Sequence, residues 1–315
     1  MSKLGVAVIG AGFWGRNHIR VFHELPNAEL KAVCDVNEDR VKEITKKYSI
    51  EGYTDSEELL KREDVEAVSI CTWSTELTKE SIKALNAGKH VFVEKPMAID
   101  PKEAEKVIEL SESKGLYLMV GFIERFNPGV EKIKELLKGG EAGTMVSTLS
   151  RRVSRWPERI GDVGIVKDTA IHELDMLCYL LGDAPKTVYA RTGSLRHRVF
   201  EDYAQIILNF EGGVTALIES NWLTPYKVRK LIITGSEAIL SLDYITQEIT
   251  IEKLGERVTL LHKWREPLLL ELEHFVSSIL SKGRLKTTGL DGLRALKIAD
   301  AVLESSRKNE VVEIT

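Results

Sequence analysis

One feature constrains this chain more than any other. An apolar run, Leu4-Gly5-Val6-Ala7-Val8-Ile9, leads directly into Gly10-Ala11-Gly12-Phe13-Trp14-Gly15. A short apolar run that stops at a glycine reads as a strand buried on both faces, which implies a parallel sheet covered by helices. The G-x-G-x-x-G spacing then acquires a mechanical sense. Gly10 permits the tight turn, Gly12 lets backbone N–H groups approach a pyrophosphate, and Gly15 permits close packing of helix on strand. A helix starting near Phe13 and Trp14 turns its N-terminal N–H groups and positive dipole end toward the diphosphate. A second strand, Glu29-Leu30-Lys31-Ala32-Val33-Cys34, delivers Asp35 twenty residues after Gly15. A carboxylate there accepts hydrogen bonds from a ribose 2′-hydroxyl and favours NAD over NADP. Without the strand, the helix and the acid, the three glycines would read only as a turn.

The chain has 315 residues, 43% of them hydrophobic, enough for two medium cores, and two domains are expected. Its three cysteines, Cys34, Cys71 and Cys178, are widely spaced within apolar patterns and read as small buried hydrophobes in a reducing compartment. The N-terminus shows no basic-then-apolar signal segment, and no stretch approaches the roughly 20 apolar residues of a membrane span, so a cytoplasmic protein without a membrane partner is expected. Lys plus Arg number 44 against 48 Asp plus Glu, a net charge of -4, the wrong sign for a chain whose main partner is a nucleic acid.

Up to about residue 122, strand patterns alternate with amphipathic helical patterns, as in a doubly wound sheet. The strands expected are Val6–Ile9, Leu30–Cys34, Ala67–Cys71, His90–Val93 and Leu118–Gly121. The helices expected are Trp14–Leu25, Glu38–Tyr48, Ser56–Arg62, Leu77–Ala87 and Pro101–Lys114. After Pro128 the pattern changes to long alternating runs, from Met145–Val153 to Val258–Leu261, with a hairpin signal at Glu211-Gly212-Gly213. These predict an α/β chain with a doubly wound dinucleotide-binding domain over 1–122. A second, α+β domain over 123–315 would hold a large, mostly antiparallel open sheet. Segments 168–181, 267–281 and 290–308 are expected to cover one face of that sheet.

Strand His90–Val93 runs into Glu94-Lys95-Pro96, which puts Lys95 at the carboxyl end of a parallel strand, where such folds bind ligands. Proline also biases Lys95 toward extended geometry and makes a cis bond accessible. Detached from the strand, the same tripeptide would read as a solvated turn. In the second domain, Asp168-Thr169-Ala170-Ile171-His172-Glu173-Leu174-Asp175 opens a helical pattern that runs to Leu181 and stops at Gly182. Residues four apart share a helix face, so Asp168 and His172 can touch, with Asp175 one turn further along the stripe. A carboxylate beside an imidazole orients it and raises its basicity, which suits proton removal from an alcohol. Read alone, the segment is rather a capping Asp with a surface or core His. No metal site is expected, because His172-Glu173-Leu174-Asp175-Met176 lacks the second histidine of H-E-x-x-H. Arg151, Arg152, Arg155 and Arg159 surround Trp156, a set suited to an anionic, diphosphate-bearing substrate through forked donors and ring stacking, or else a solvated loop or an oligomer contact.

With these positions in place, the chain resembles the glucose-fructose oxidoreductase/inositol dehydrogenase (Gfo/Idh/MocA) family over essentially its whole length. The resemblance rests on Gly10 to His18, on Ala87 to Pro96, on Val120 to Pro128 and on Asp168 to Gly182. It implies that Lys95 contacts both nicotinamide ribose and substrate hydroxyl, that His172 is the acid/base and that Asp168 supports it. It also implies cofactor contacts from Phe13, Trp14, Arg40, Thr72, Glu94 and Arg125, and substrate contacts from Asn127, Arg155 and Trp156. The family usually has Thr-Pro-x-x-x-His after the fourth strand, whereas this chain reads Thr72-Trp73-Ser74-Thr75-Glu76-Leu77. Within the family, Arg151 to Asp175 with Asn221 to Pro225 is similar to UDP-N-acetylglucosamine 3-dehydrogenases. The resemblance therefore implies an NAD-dependent oxidoreductase acting on a sugar or sugar-nucleotide hydroxyl. The other readings are a dehydrogenase of a free polyol such as an inositol, a reductase of another substrate class, and a non-catalytic NAD sensor. A flat sheet face in the second domain predicts a homodimer or homotetramer.

Overall fold

Six strands form a fully parallel sheet in the computed structural model, which describes residues 3–157, 161–261 and 263–314. They are β1 (Leu4–Ile9), β2 (Ala28–Cys34), β3 (Glu51–Tyr53), β4 (Ala67–Ile70), β5 (His90–Glu94) and β6 (Leu118–Gly121), in the order β3-β2-β1-β4-β5-β6. Every residue of β1, β4 and β6 is buried, which explains why these strands are unbroken apolar runs. The order reverses between β1 and β4, so the strand ends there leave a crevice above the sheet. Helices α1 (Phe13–Glu24), α2 (Glu38–Tyr48), α3 (Ser56–Leu60), α4 (Ser74–Asn86) and α5 (Pro101–Ser113) connect the strands. Asn37, Asp55 and Asp100 cap α2, α3 and α5 by accepting hydrogen bonds from first-turn amides. The short edge strand β3 carries no periodic signal in the sequence, since Glu51 and Gly52 are exposed and only Tyr53 is half-buried.

The chain divides into two compact units. The first runs to Ile123 and also takes in Glu266–Leu293, while the second comprises Glu124–Arg265 and Arg294 onward. Segment 267–281, expected on the second sheet, thus belongs to the first unit as α8 (Pro267–Ser281), which follows α6 (Pro128–Lys138) and α7 (Ile171–Leu181) in the chain. Its Phe275 meets Phe92 of β5 edge to face, Glu266 pairs with Arg20 of α1, and Ser277 accepts a hydrogen bond from Asn27. The apolar stripe of α8 was legible, but a stripe does not name the surface that it will cover.

Among the described residues, the second unit holds nine strands: β7 (Met145–Val153), β8 (Thr187–Gly193), β9 (Tyr203–Asn209), β10 (Thr215–Asn221), β11 (Val228–Gly235), β12 (Ile239–Asp243), β13 (Ile249–Lys253), β14 (Glu256–Leu260) and β15 (Val312–Glu313). Their order is β14-β13-β12-β11-β7-β10-β9-β8-β15, antiparallel throughout apart from the parallel pair β7/β10. One face packs on α6 (Pro128–Lys138), α7 (Ile171–Leu181) and the later part of α9 (Gly289–Lys308), through Val130, Leu174, Leu177, Ile298 and Val302. Two tighter or wider turns position chemistry: a 3-10 turn over Ile123–Phe126 and a π-helical turn over Val166–Ala170 just ahead of α7. Gly182 ends α7 in the left-handed conformation, φ 79°, as its place in the sequence predicts.

Candidate active site

The loop after β1 is built for close approach. Gly10 has φ +96°, and a Cβ there would strike Cys71 O at 2.6 Å. A Cβ on Gly15 would lie 1.7 Å from Gly10 O, so the first turn of α1 sits directly on the loop. Gly12 is different: a Cβ there meets nothing within 4 Å, so the surface facing the helix N-terminus is open. Beneath it, Asp35 is buried, its Oδ2 accepting from Ala11 N at 2.7 Å and its Oδ1 from Asn37 N at 2.9 Å. A carboxylate has about four acceptor positions, so two remain for ribose hydroxyls while the acid locks the loop from below. Arg40 Nη1 stands 3.6 Å from Asp35 Oδ1. Phe13 is exposed beside the loop.

At the end of β5, Glu94 and Lys95 are half-buried and the Lys95–Pro96 bond is cis. Glu94 Oε1 lies 3.1 Å from Nε2 of the fully buried His18, whose Nδ1 is 2.8 Å from Ser69 Oγ. Burial disfavours charge on His18, yet the adjacent Cys71 and Glu94 side chains outweigh it and raise the pKa to about 10. Gly121 leaves room for Glu94, since a Cβ there would come within 3.0 Å of its carboxylate. Helix α4 opens at Ser74, three residues before the expected start. Trp73 just ahead of it is 52% exposed. Leu77, where the family places a histidine, is buried on the apolar side of α4, and Thr72 is half-buried beside Trp73.

In the second unit, Asp168 sits in the π-helical turn and His172 in the first turn of α7, both half-buried. The π turn adds a residue to the turn just ahead of α7, so the four-residue spacing from Asp168 to His172 runs across it. Asp175 is buried and holds Arg125 in a two-pronged pair, with Nε at 2.8 Å and Nη2 at 2.5 Å. Arg125, expected beside the cofactor, is itself buried, with its guanidinium 4.8 Å from the centre of the Tyr179 ring. Asn127, expected at the substrate, is completely buried. Its amide donates to Glu124 and to Tyr244 O, and its Oδ1 caps α6 at Gly129 N.

The arginines around Trp156 separate. Arg151 and Arg152 point to opposite faces of β7, because side chains alternate along a strand. Arg151 is exposed and pairs with Glu219 at 2.8 Å. Arg152 is buried, with Nη2 2.5 Å from Glu124 and Nε 2.7 Å from Glu173, the neighbour of His172. Two carboxylates thus hold its charge and leave little for a substrate, which corrects the expectation. Arg155 is exposed, and Arg159 lies outside the described residues. Trp156 carries Arg196 over its ring at 4.8 Å and meets Trp222 edge to face at 6.3 Å. Trp222 in turn donates from Nε1 to Thr169 in the π turn.

Several residues of this network were not singled out in the sequence. Tyr244 donates to Glu173 at 3.2 Å, and Arg229 stands 3.5 Å from Glu124. Burial, followed by the charge of Arg152, pushes Arg229 down to about 10, while Glu124, Glu173 and Asp168 oppose the shift. Lys227 is lowered by desolvation and then by Arg229 and Arg152. Glu124 is held below the usual carboxylate range: burial acts against this, and the charges of Arg152 and Arg229 prevail. Burial pushes the Cys34 and Cys178 thiols up to about 12, so neither is a ready nucleophile. Among the described residues, no group of three His, Cys, Asp or Glu could hold a metal ion, and no helix is long and apolar enough to cross a membrane.

The open surface over Gly12, the locked Asp35 and the helix N-terminus fit an NAD diphosphate and ribose. Comparison with known proteins agrees. Residues 4–122 match the oxidoreductase family with an NAD-binding Rossmann fold, and residues 130–241 match the GFO/IDH/MocA C-terminal domain. This chain belongs to the GFO/IDH/MocA family. It is similar to the uncharacterized oxidoreductase YrbE of Bacillus subtilis, 31% identical over 96% of this chain and 94% of that one. It is also similar to the myo-inositol 2-dehydrogenase of Thermotoga maritima, 28% identical over 98% of each. Among solved structures, a probable dehydrogenase from Thermotoga maritima superposes with a TM-score of 0.87, at 26% identity over 99% of each chain. As a GFO/IDH/MocA member, the chain carries an NAD-binding Rossmann domain followed by the family's C-terminal domain.

Proposed function

We propose that this GFO/IDH/MocA protein is an NAD-dependent dehydrogenase that oxidises a secondary hydroxyl of a polyol or sugar to a ketone. The observation that carries the reading is the loop geometry after β1, with Gly12 facing open space and Asp35 bonded beneath Ala11, in a chain of this oxidoreductase family. Gly10, Gly12, Gly15, the first amides of α1 and Asp35 would hold the dinucleotide, with Phe13, Trp14, Arg40, Thr72 and Glu94 around it. NAD, when bound, supplies the acceptor for the hydride that leaves the carbinol carbon. His172 takes the hydroxyl proton, and Asp168 favours the resulting imidazolium. The Lys95 ammonium steadies the negative charge that grows on the hydroxyl oxygen as the proton departs.

A free polyol is the first substrate class to test, given the likeness to a myo-inositol 2-dehydrogenase. The finer reading, the 3-hydroxyl of UDP-N-acetylglucosamine, rests on Arg155 and Trp156, since Arg151 and Arg152 are engaged elsewhere. The test is NADH formation across free polyols, sugars and nucleotide sugars. Lys95→Ala and His172→Ala are each expected to lower kcat by about 10²–10⁴-fold while the melting temperature is retained. Wild-type rates in either variant would refute the assigned roles. A non-catalytic NAD sensor predicts NAD binding without reduction by any substrate.

A further inference from the structure

Arg229 and Arg152 stand directly opposite each other on the adjacent strands β11 and β7. Like charges in that register repel unless an anion lies between them. Glu124 is that anion, yet its Oε1 already accepts from Arg152 at 2.5 Å, and Arg229 reaches the same oxygen only at 3.5 Å. A guanidinium has five N–H donors. Among the described residues, this is the one ion pair or side-chain hydrogen bond of Arg229, although its side chain is only 31% exposed. Lys227, two residues earlier and exposed on the same rim, has no ion pair among the described residues. A largely desolvated cation with unused donors is costly unless a ligand completes it. Burial, and then the charge of Arg152, lower the Arg229 pKa, in keeping with this geometry. Asp168 lies within electrostatic reach of Arg229, and the π turn that carries Asp168 packs against β10, the parallel neighbour of β7.

We infer that Arg229 and Lys227 form an anion subsite beside Asp168, taking a carboxylate or phosphate group of the substrate while another part of the same molecule is presented to His172. This deepens the dehydrogenase reading and rests on it: the preferred substrate is an acidic or phosphorylated polyol or sugar, not a neutral one. Fork-shaped donors suit planar carboxylate and phosphate oxygens, and the neighbouring ammonium adds a point charge.

The test titrates inorganic phosphate and D-glucuronate into the full-length protein by calorimetry, beside NADH formation from myo-inositol, myo-inositol 1-phosphate and D-glucuronate. Both anions are expected to bind the wild type, and Arg229→Gln to weaken them by about 10–100-fold. The ratio of kcat/KM for anionic over neutral substrate should fall by a similar factor. Arg229→Lys keeps the charge without the fork and should fall between, and Lys227→Gln provides a second probe should Arg229→Gln fail to fold. Stronger phosphate than glucuronate binding would assign the subsite to phosphorylated substrates, and the reverse to acids. Equal anion binding by wild type and Arg229→Gln would overturn the inference. So would a wild type that oxidises neutral polyols yet binds neither anion, and the dehydrogenase reading would then survive. Arg229-dependent anion binding without NADH formation from any polyol or sugar would keep the subsite and end the dehydrogenase reading.

Discussion

Gly12 and Gly15 stand three residues apart in one loop, yet substitution should separate their roles. A Cβ on Gly15 would lie 1.7 Å from Gly10 O, a backbone atom that cannot swing aside. Gly15→Ala must therefore push α1 away from β1, and overpacking of this kind costs about 1–3 kcal/mol, a shift of several degrees in melting temperature. A Cβ on Gly12 meets nothing, so Gly12→Ala should melt as the wild type does while weakening NAD by on the order of tenfold, because the methyl occupies the approach to the diphosphate. Equal melting loss in both variants, or unchanged NAD affinity in Gly12→Ala, would contradict this. The sequence shows the glycines and Asp35 plainly because each answers a backbone requirement that few residues can meet. Arg229 was invisible for the opposite reason. In Lys227-Val228-Arg229-Lys230 three of four residues are basic, so both faces carry charge and the pattern does not show which one is buried. Only the register with β7 brings Arg229 level with Arg152 on the inner side.

At the scale of elements, the end of β5 is tied to its neighbours by one buried side chain: His18 of α1 joins Ser69 of β4 to Glu94 of β5. Lys95 follows Glu94 directly, so this staple fixes the strand end that carries the lysine. The pKa of His18 is raised from 6.5 to about 10, so the folded protein binds its proton more tightly than the unfolded chain does. The contribution is then complete below about pH 6.5, declines as pH rises, and is gone above about pH 10. Melting temperature measured from pH 6 to 10 should fall along this window in the wild type and fall less in His18→Gln; parallel curves would exclude the ion pair. The staple was half legible. His18 lies within the resemblance, but nothing in the sequence pairs it with Glu94 until parallel order brings β4 and β5 together. The π-helical turn at Asp168 was hidden for a related reason, since one extra residue at a helix start leaves the later apolar spacing unchanged.

On the whole molecule, the uncovered face of the nine-stranded sheet carries an apolar row. Ile207 of β9 lies opposite Leu217 of β10, Leu217 beside Leu149 of β7, and Leu149 opposite Ile232 of β11. Three of them are 37%, 42% and 45% exposed: Ile207, Leu217 and Leu149. The next row on that face reads Glu219, Arg151, Lys230 and Asp243 across the strands β10, β7, β11 and β12, which offers both signs of charge in a symmetrical sequence. Under a twofold axis each patch meets its own copy, so the apolar row can pack on the same row of a second chain, while Arg151 and Glu219, already paired with each other, lie at its edge. We therefore expect sedimentation velocity to show a dimer or a tetramer. In Leu149→Asp/Leu217→Asp, four carboxylates would face one another across a dry interface, and the expected species is the monomer. Because both leucines lie on the uncovered face, each monomer should keep its far-ultraviolet dichroism. A wild type that sediments only as a monomer at micromolar concentration would remove the argument, and the row would then be no more than the solvated side of an open sheet.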